Sequence, residues 1–151
     1  MKFLLLAFAA LLANVQAESP AGFQAPLDLT FNARFDCTEQ RYVVLLPADY
    51  QPGQRRDLVI ALHGHGSDRW QFATNDRGEC KGARDAAAAH GLIFVSPDYR
   101  AKTSWMGPAA EADLVQVIKK LKAEYGSKRV ILCGGSMGGT AALIFTALHP
   151  D

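Results

Sequence analysis

Val130-Ile131-Leu132-Cys133-Gly134-Gly135-Ser136-Met137-Gly138-Gly139-Thr140 is the stretch on which the reading of this chain turns. Four apolar residues suited to a buried strand run straight into Gly-Gly-Ser-Met-Gly-Gly. An apolar segment, Gly139 to His149, then reads as a helix and ends before Pro150. The pattern G-x-S-x-G (Gly134, Ser136, Gly138) therefore falls between a predicted strand and a predicted helix. A turn that sharp strains the serine backbone and lifts its hydroxyl above the carboxyl end of the sheet. Small neighbours are needed so that strand and helix can approach. The hydroxyl also lies at a helix N-terminus, where free N–H groups favour developing negative charge. Rival uses of the glycines fail on residues: a phosphate loop needs lysine where Gly139 stands, and a dinucleotide fingerprint needs glycine where Ser136 stands. A plain glycine-rich turn is the remaining alternative.

Upstream, Leu58-Val59-Ile60-Ala61-Leu62 and Leu92-Ile93-Phe94-Val95 are apolar runs of the same kind as Val130–Cys133. They lack clean alternation, as strands buried on both faces of a parallel sheet do. Helical patterns lie between them. Lys81 to His90 is alanine-rich and stops at Gly91. Glu111 to Tyr125 gathers Leu114, Val117, Ile118, Leu121 and Tyr125 on one face and stops at Gly126. Two earlier segments, Leu29–Phe35 and Arg41–Leu46, predict an antiparallel strand pair after an irregular lead-in at 18–28 that carries Pro20, Gly22 and Pro26. Such alternation predicts an α/β fold, with a mostly parallel sheet and helices on both faces.

Leu62-His63-Gly64-His65-Gly66-Ser67-Asp68 follows the first central strand. Attack on an ester carbonyl creates an oxyanion that backbone N–H groups must meet, and a glycine-flanked turn can aim one there. Met137 N–H is the expected second donor. His63 and His65 are too few to hold a metal, no third ligand has a matching spacing, and no metal or other cofactor is expected.

Composition narrows the partners. Of 151 residues, 49% are hydrophobic, and 16 Lys+Arg against 15 Asp+Glu give a formal charge of +1. That excludes a disordered chain and offers a nucleic acid or an anionic membrane no electrostatic footing. Lys2, the apolar run Phe3–Ala13, and Val15 and Ala17 at −3 and −1 form a secretory signal peptide at 1–17, cleaved after Ala17, which predicts a secreted or periplasmic protein. In such a compartment Cys37 and Cys80, both in polar surroundings, are candidates for a disulfide, whereas Cys133 reads as a buried thiol.

The order of strand pair, LHGHGSD, FVSPDYR, a long amphipathic helix and CGGSMGG resembles the first half of an α/β-hydrolase. More narrowly, it is similar to secreted esterases of the feruloyl-esterase and polyhydroxybutyrate-depolymerase-like groups. By position the resemblance implies Ser136 as nucleophile, with Met137 and His65 forming the oxyanion hole through their main-chain N–H groups and Gly66 a weaker second choice. Trp105, in a loop after a strand, is a candidate for stacking on a sugar or aryl group of the substrate. The implied activity is hydrolysis of carboxylic esters through an acyl-enzyme, on small molecules or on feruloyl or acetyl esters of polysaccharide. A peptidase of the prolyl-oligopeptidase kind and a non-catalytic hydrolase-like module stay open as alternatives.

The serine needs a base, usually a histidine held by a carboxylate, and the family order is Ser, then Asp or Glu, then His. His149 lies at the far end of the next helix, roughly 20 Å from Ser136 at 1.5 Å per residue. His90 ends a helix, and His63 or His65 acting as base from the oxyanion loop would be unusual. Asp98 precedes the serine, out of family order. The sequence therefore reads as the N-terminal part of a longer hydrolase (catalytic domain from residue 29), with the nucleophile and without the acid–base pair. The C-terminal strands of the sheet would be missing, and residues 18–151 alone are expected to be poorly soluble and inactive.

Overall fold

The computed structural model describes residues 19–100 and 102–150. The signal peptide assigned to residues 1–17 lies outside the described residues.

Five strands form one mixed sheet: β1 (Leu27–Asn32), β2 (Glu39–Leu45), β3 (Leu58–Leu62), β4 (Ile93–Pro97) and β5 (Val130–Gly134). Their spatial order is β1-β2-β4-β3-β5. β1 and β2 are antiparallel, with Leu29 opposite Tyr42, and β2 runs antiparallel to β4, with Val44 opposite Val95. β3 is parallel to both neighbours: Val59 faces Phe94 on β4, and Ile60 faces Leu132 on β5. The three apolar runs seen in the sequence are thus the parallel centre, and the antiparallel pair is its flank.

The helices α1 (Trp70–Thr74), α2 (Gly78–Ala89), α3 (Pro108–Tyr125) and α4 (Met137–Leu148) occupy the two faces. Successive strand residues point to opposite sides. Leu58, Ile60 and Leu62 therefore join Leu114, Val117 and Leu121 of α3 and Ala141 and Phe145 of α4 in one core. Val59, Ala61 and Phe94 join Phe72, Cys80 and Ala87 of α1 and α2 in the other. β3 and β4 are buried along their whole length, which is why their sequences show no alternation. Burying one such Leu or Ile contributes roughly 1.5–3 kcal/mol.

Some expectations shift. α1 has five residues, too short to leave a helical period in the sequence. α3 begins at Pro108, three residues before the predicted start, because proline suits a first helical position; it ends on Gly126 at φ +62°. The lead-in is partly ordered: buried Phe23 bridges to Pro47, and Gln24 N–H donates to the Leu46 carbonyl. The Cys37–Cys80 disulfide is not formed. All three cysteines are free, Cys37 exposed in the β1–β2 turn and Cys80 buried under α2. Cys80 instead shares an apolar cluster with Cys133, whose thiol burial pushes up to about 11.

β5 pairs with β3 alone among the described strands. Ile131 on β5 is 48% exposed, and Leu143 on the adjacent α4 is 75% exposed. A bare strand edge beside an apolar helix face is a template for pairing with further chain.

Candidate active site

Ser136 stands between β5 and α4 with φ +54° and ψ −118°, a left-handed backbone that serine adopts only under strain. Its neighbours explain how the turn is held. A Cβ on Gly138 would lie 1.9 Å from the Leu62 carbonyl oxygen, and one on Gly134 would lie 2.5 Å from the Gly138 carbonyl carbon. Both glycines are required by backbone-to-backbone contact: the first turn of α4 rests directly on the end of β3. The Ser136 side chain is exposed and accepts or donates no hydrogen bond among the described residues.

Met137 opens α4, with its side chain in the core. Its N–H is one of the first helical donors, which have no intrahelical partner, and no other acceptor reaches it among the described residues. Gly138 N–H by contrast closes back on the Gly135 carbonyl at 2.9 Å, and Thr140 N–H on the Ser136 carbonyl at 3.1 Å.

The 63–66 loop abuts this turn. A Cβ on Gly64 would lie 3.5 Å from the Gly135 carbonyl oxygen. Gly64 N–H donates to Gln71 Oε1 at 2.7 Å, and Gly66 N–H to the Lys102 carbonyl at 2.8 Å. His65 N–H is left without an acceptor among the described residues. Its direction follows from His63, whose fully buried ring sets Nδ1 2.9 Å from the Gly64 carbonyl oxygen and Nε2 3.0 Å from the Asp98 carbonyl oxygen. The Gly64–His65 peptide is trans, so its N–H points opposite to its carbonyl and away from that buried ring. Of the two candidate second donors, Gly66 is already used and His65 is not.

Loop 98–106 braces the other side. The Tyr99 hydroxyl donates to the His63 carbonyl at 2.6 Å, and burial raises its pKa. Trp105 is 48% exposed, with its ring 6.4 Å from that of His65. Tyr99, Arg100, Trp105 and Met106 all have positive φ. Arg100 restrains the strained segment: its guanidinium reaches Asp113 on α3 at 2.9 Å and Asp36 in the β1–β2 turn at 2.6 Å. The bond from Arg100 and a second from Thr38 draw Asp36 down to about 2, whereas burial raises Asp113 against the pull of the same arginine.

The histidines divide by place. Each His63 ring nitrogen faces a carbonyl oxygen, His65 lies in the 63–66 loop beside the elbow, His90 caps α2, and His149 caps α4 with Nε2 3.0 Å from Glu111 Oε1. None hydrogen-bonds to Ser136. Asp98, near the loop as its position implied, spends its carboxylate on Arg69, which also bonds Asp28. Arg69 and Asp98 line a cavity of about 410 Å³ with Ser67, Asp68 and Lys102. No group of three or more metal-ligating side chains occurs among the described residues.

A family model described as alpha/beta hydrolase fold matches residues 59–149, more than half of the chain, from the second residue of β3 through α4. The chain belongs to the alpha/beta hydrolase fold family. Solved hydrolases of this fold superpose on it. The ferulic acid esterase of the anaerobic fungus Anaeromyces mucronatus is 20% identical with a TM-score of 0.66, covering 90% of this chain and 59% of its own. An S-formylglutathione hydrolase from Staphylococcus aureus is 18% identical with a TM-score of 0.66, covering 84% of this chain and 53% of its own. A hyperthermophilic esterase from the archaeon Pyrobaculum calidifontis is 27% identical with a TM-score of 0.57, covering 83% of this chain and 40% of its own. The chain thus spans about 40–59% of the length of these hydrolases. A search of the curated proteins finds no match.

The motifs G-x-S-x-G and LHGHG led the sequence reading to the elbow and its loop. Tyr99 stood in the FVSPDYR stretch without a role of its own, and Gln71 and Glu79, whose carboxylate lies against Gly135, escaped the reading. Both sit in elements with no motif of their own, and only the packing brings them to the loop or the elbow.

Proposed function

We propose that this alpha/beta hydrolase is an exported serine carboxylesterase that works through an acyl-enzyme on Ser136. The observation that carries the reading is the pairing of an exposed, backbone-strained Ser136 with two unspent N–H groups, Met137 and His65, on the segments that meet at the elbow. Serine Oγ attacks the ester carbonyl carbon, the carbonyl oxygen takes the negative charge, and the two N–H groups donate to it. Collapse expels the alcohol and leaves an acyl-serine, which water then cleaves to free acid. Removing one such donor costs about 10²–10³ in kcat in enzymes of this mechanism.

The proton must go to a base, and no described histidine hydrogen-bonds to Ser136. The proposal therefore assigns the base and its carboxylate to protein beyond these residues, as the family order Ser–acid–His implies. For substrate, esters of hydroxycinnamic or acetic acid on polysaccharide fit best, with Trp105 offering an exposed indole beside His65. One similar structure is that of a ferulic acid esterase in complex with ferulic acid. Export is proposed from residues 1–17 alone.

The test is turnover by the full-length protein of methyl ferulate, an aryl acetate and a peptide anilide, beside Ser136→Ala. The esterase reading expects both esters to be cleaved and the anilide spared, with activity lost in the variant. Cleavage of the anilide alone would favour a peptidase, and no turnover a non-catalytic module.

A further inference from the structure

Glu79 is a carboxylate that the mechanism above does not use. It lies in the first turn of α2, is exposed, and has no hydrogen-bond or ion-pair partner among the described residues. Its side chain nevertheless does not extend into open solvent. It occupies the space that a side chain on Gly135 would fill: a Cβ built there would meet Glu79 Oε1 at 2.9 Å, Cγ at 3.4 Å and Cδ at 3.6 Å. Gly135 immediately precedes Ser136. With 3.8 Å between consecutive Cα atoms, the carboxylate lies within roughly 8 Å of the Ser136 Cα.

Three neighbouring cations are spent on other groups. Arg84, on the same helix, is turned the other way, its guanidinium bonding Asp76 and the Phe72 and Asn75 carbonyls. Lys81 pairs with Asp85. Arg69, across the 63–66 loop, is spent on Asp28 and Asp98.

We infer that Glu79 is a specificity-determining residue: it places a free carboxylate beside the nucleophile and selects esters carrying positive charge or hydroxyl donors over esters carrying a carboxylate. This rests on the esterase reading of Ser136. A helix-dipole role for an acid in the first turn accounts for its position along α2 but not for its seat against the elbow. At this range and in water-like surroundings one unit charge changes the binding of another by roughly 2.4-fold, so the preference between a cationic and an anionic substrate is set to about sixfold.

The experiment uses three acetates of similar size in the full-length protein: 2-(trimethylammonio)ethyl acetate, its neutral isostere 3,3-dimethylbutyl acetate, and 2-carboxyethyl acetate. Their kcat/KM values are compared for wild type, Glu79→Gln and Glu79→Asp. All three pass through the same acetyl-serine, so the ratio of cationic to anionic substrate cancels any effect of Glu79 on their common chemistry. The inference expects that ratio to fall about sixfold in Glu79→Gln, to recover in Glu79→Asp, and to shrink in wild type as salt is raised. A ratio unchanged within twofold in Glu79→Gln, with the neutral acetate still cleaved, overturns the role of Glu79 and leaves the esterase reading standing. No cleavage of any acetate by wild type overturns that reading, and this role with it.

Discussion

Gly138→Ala is the substitution for which the structure makes its sharpest demand. The added methyl would sit 1.9 Å from the Leu62 carbonyl oxygen, 2.6 Å from its carbon and 2.7 Å from the His63 carbonyl oxygen. All three atoms are backbone, and Leu62 ends β3 in register with Gly134 of β5, so no side-chain rotation can make room. Overpacking a rigid site costs typically 1–3 kcal/mol, and three backbone clashes place this one at about 3 kcal/mol or more. For a domain of this size that lowers Tm by about 10 °C. Gly82→Ala supplies the opposite sign in the same molecule. Gly82 lies inside α2, with nothing within 4 Å of its would-be Cβ, so alanine gains about 0.5–1 kcal/mol of helix propensity. Urea and thermal unfolding followed by circular dichroism should show Gly138→Ala well below wild type and Gly82→Ala slightly above it. If Gly138→Ala unfolds within 0.5 kcal/mol of wild type, α4 does not rest on β3 as described and the elbow geometry fails with it.

Four other perturbations probe separate links. Ser136→Gly relieves a left-handed serine and should stabilise the fold by about 1 kcal/mol while abolishing acylation; unfolding and ester turnover measured together would expose a serine that is not strained. Tyr99→Phe deletes the 2.6 Å bond to the His63 carbonyl; with the 63–66 loop less firmly held, kcat should fall about tenfold and KM little, and an equal loss in both would contradict the bracing role. Asp36, held near 2 against an ordinary 3.8 by Arg100 and Thr38, binds protons less readily folded than unfolded. Its contribution is therefore present above about pH 4 and lost between there and about pH 2; Asp36→Asn should lower the urea midpoint at pH 6 and leave it unchanged at pH 2. Thiol titration of the native protein should find one fast group, Cys37, with Cys80 and Cys133 reacting only on unfolding; no fast thiol would mean that Cys37 is bridged after all.

β3 and β4 were legible because burial on both faces leaves unbroken apolar runs, and β3 spans the predicted Leu58–Leu62; β5 carries the same kind of run, yet its Ile131 is 48% exposed. The elbow was legible because a strand, a strained serine and a helix packed within backbone contact tolerate only glycine at 134 and 138. The supporting shell was not. Gln71 and Tyr99 reach the 63–66 loop from a five-residue helix and a strained loop, and neither has a period or a spacing that a sequence displays. The cysteines misled for a related reason: polar neighbours in sequence made Cys80 a candidate to pair with Cys37, but the helix turns that residue inward, onto the sheet beside Cys133. His63 was legible as a loop-shaping residue, and the geometry adds that its ring lies against the Gly64 carbonyl while the His65 N–H has no acceptor among the described residues.

Fluorophosphonate labelling of the full-length protein, with the adduct located by peptide mass spectrometry, tests the central claim most directly. An activated serine displaces fluoride and keeps the phosphonyl group on Oγ. The account predicts one adduct, on the peptide carrying Ser136, absent in Ser136→Ala and suppressed by a competing ester. A folded protein that takes no label, or takes it at any other residue, would contradict it.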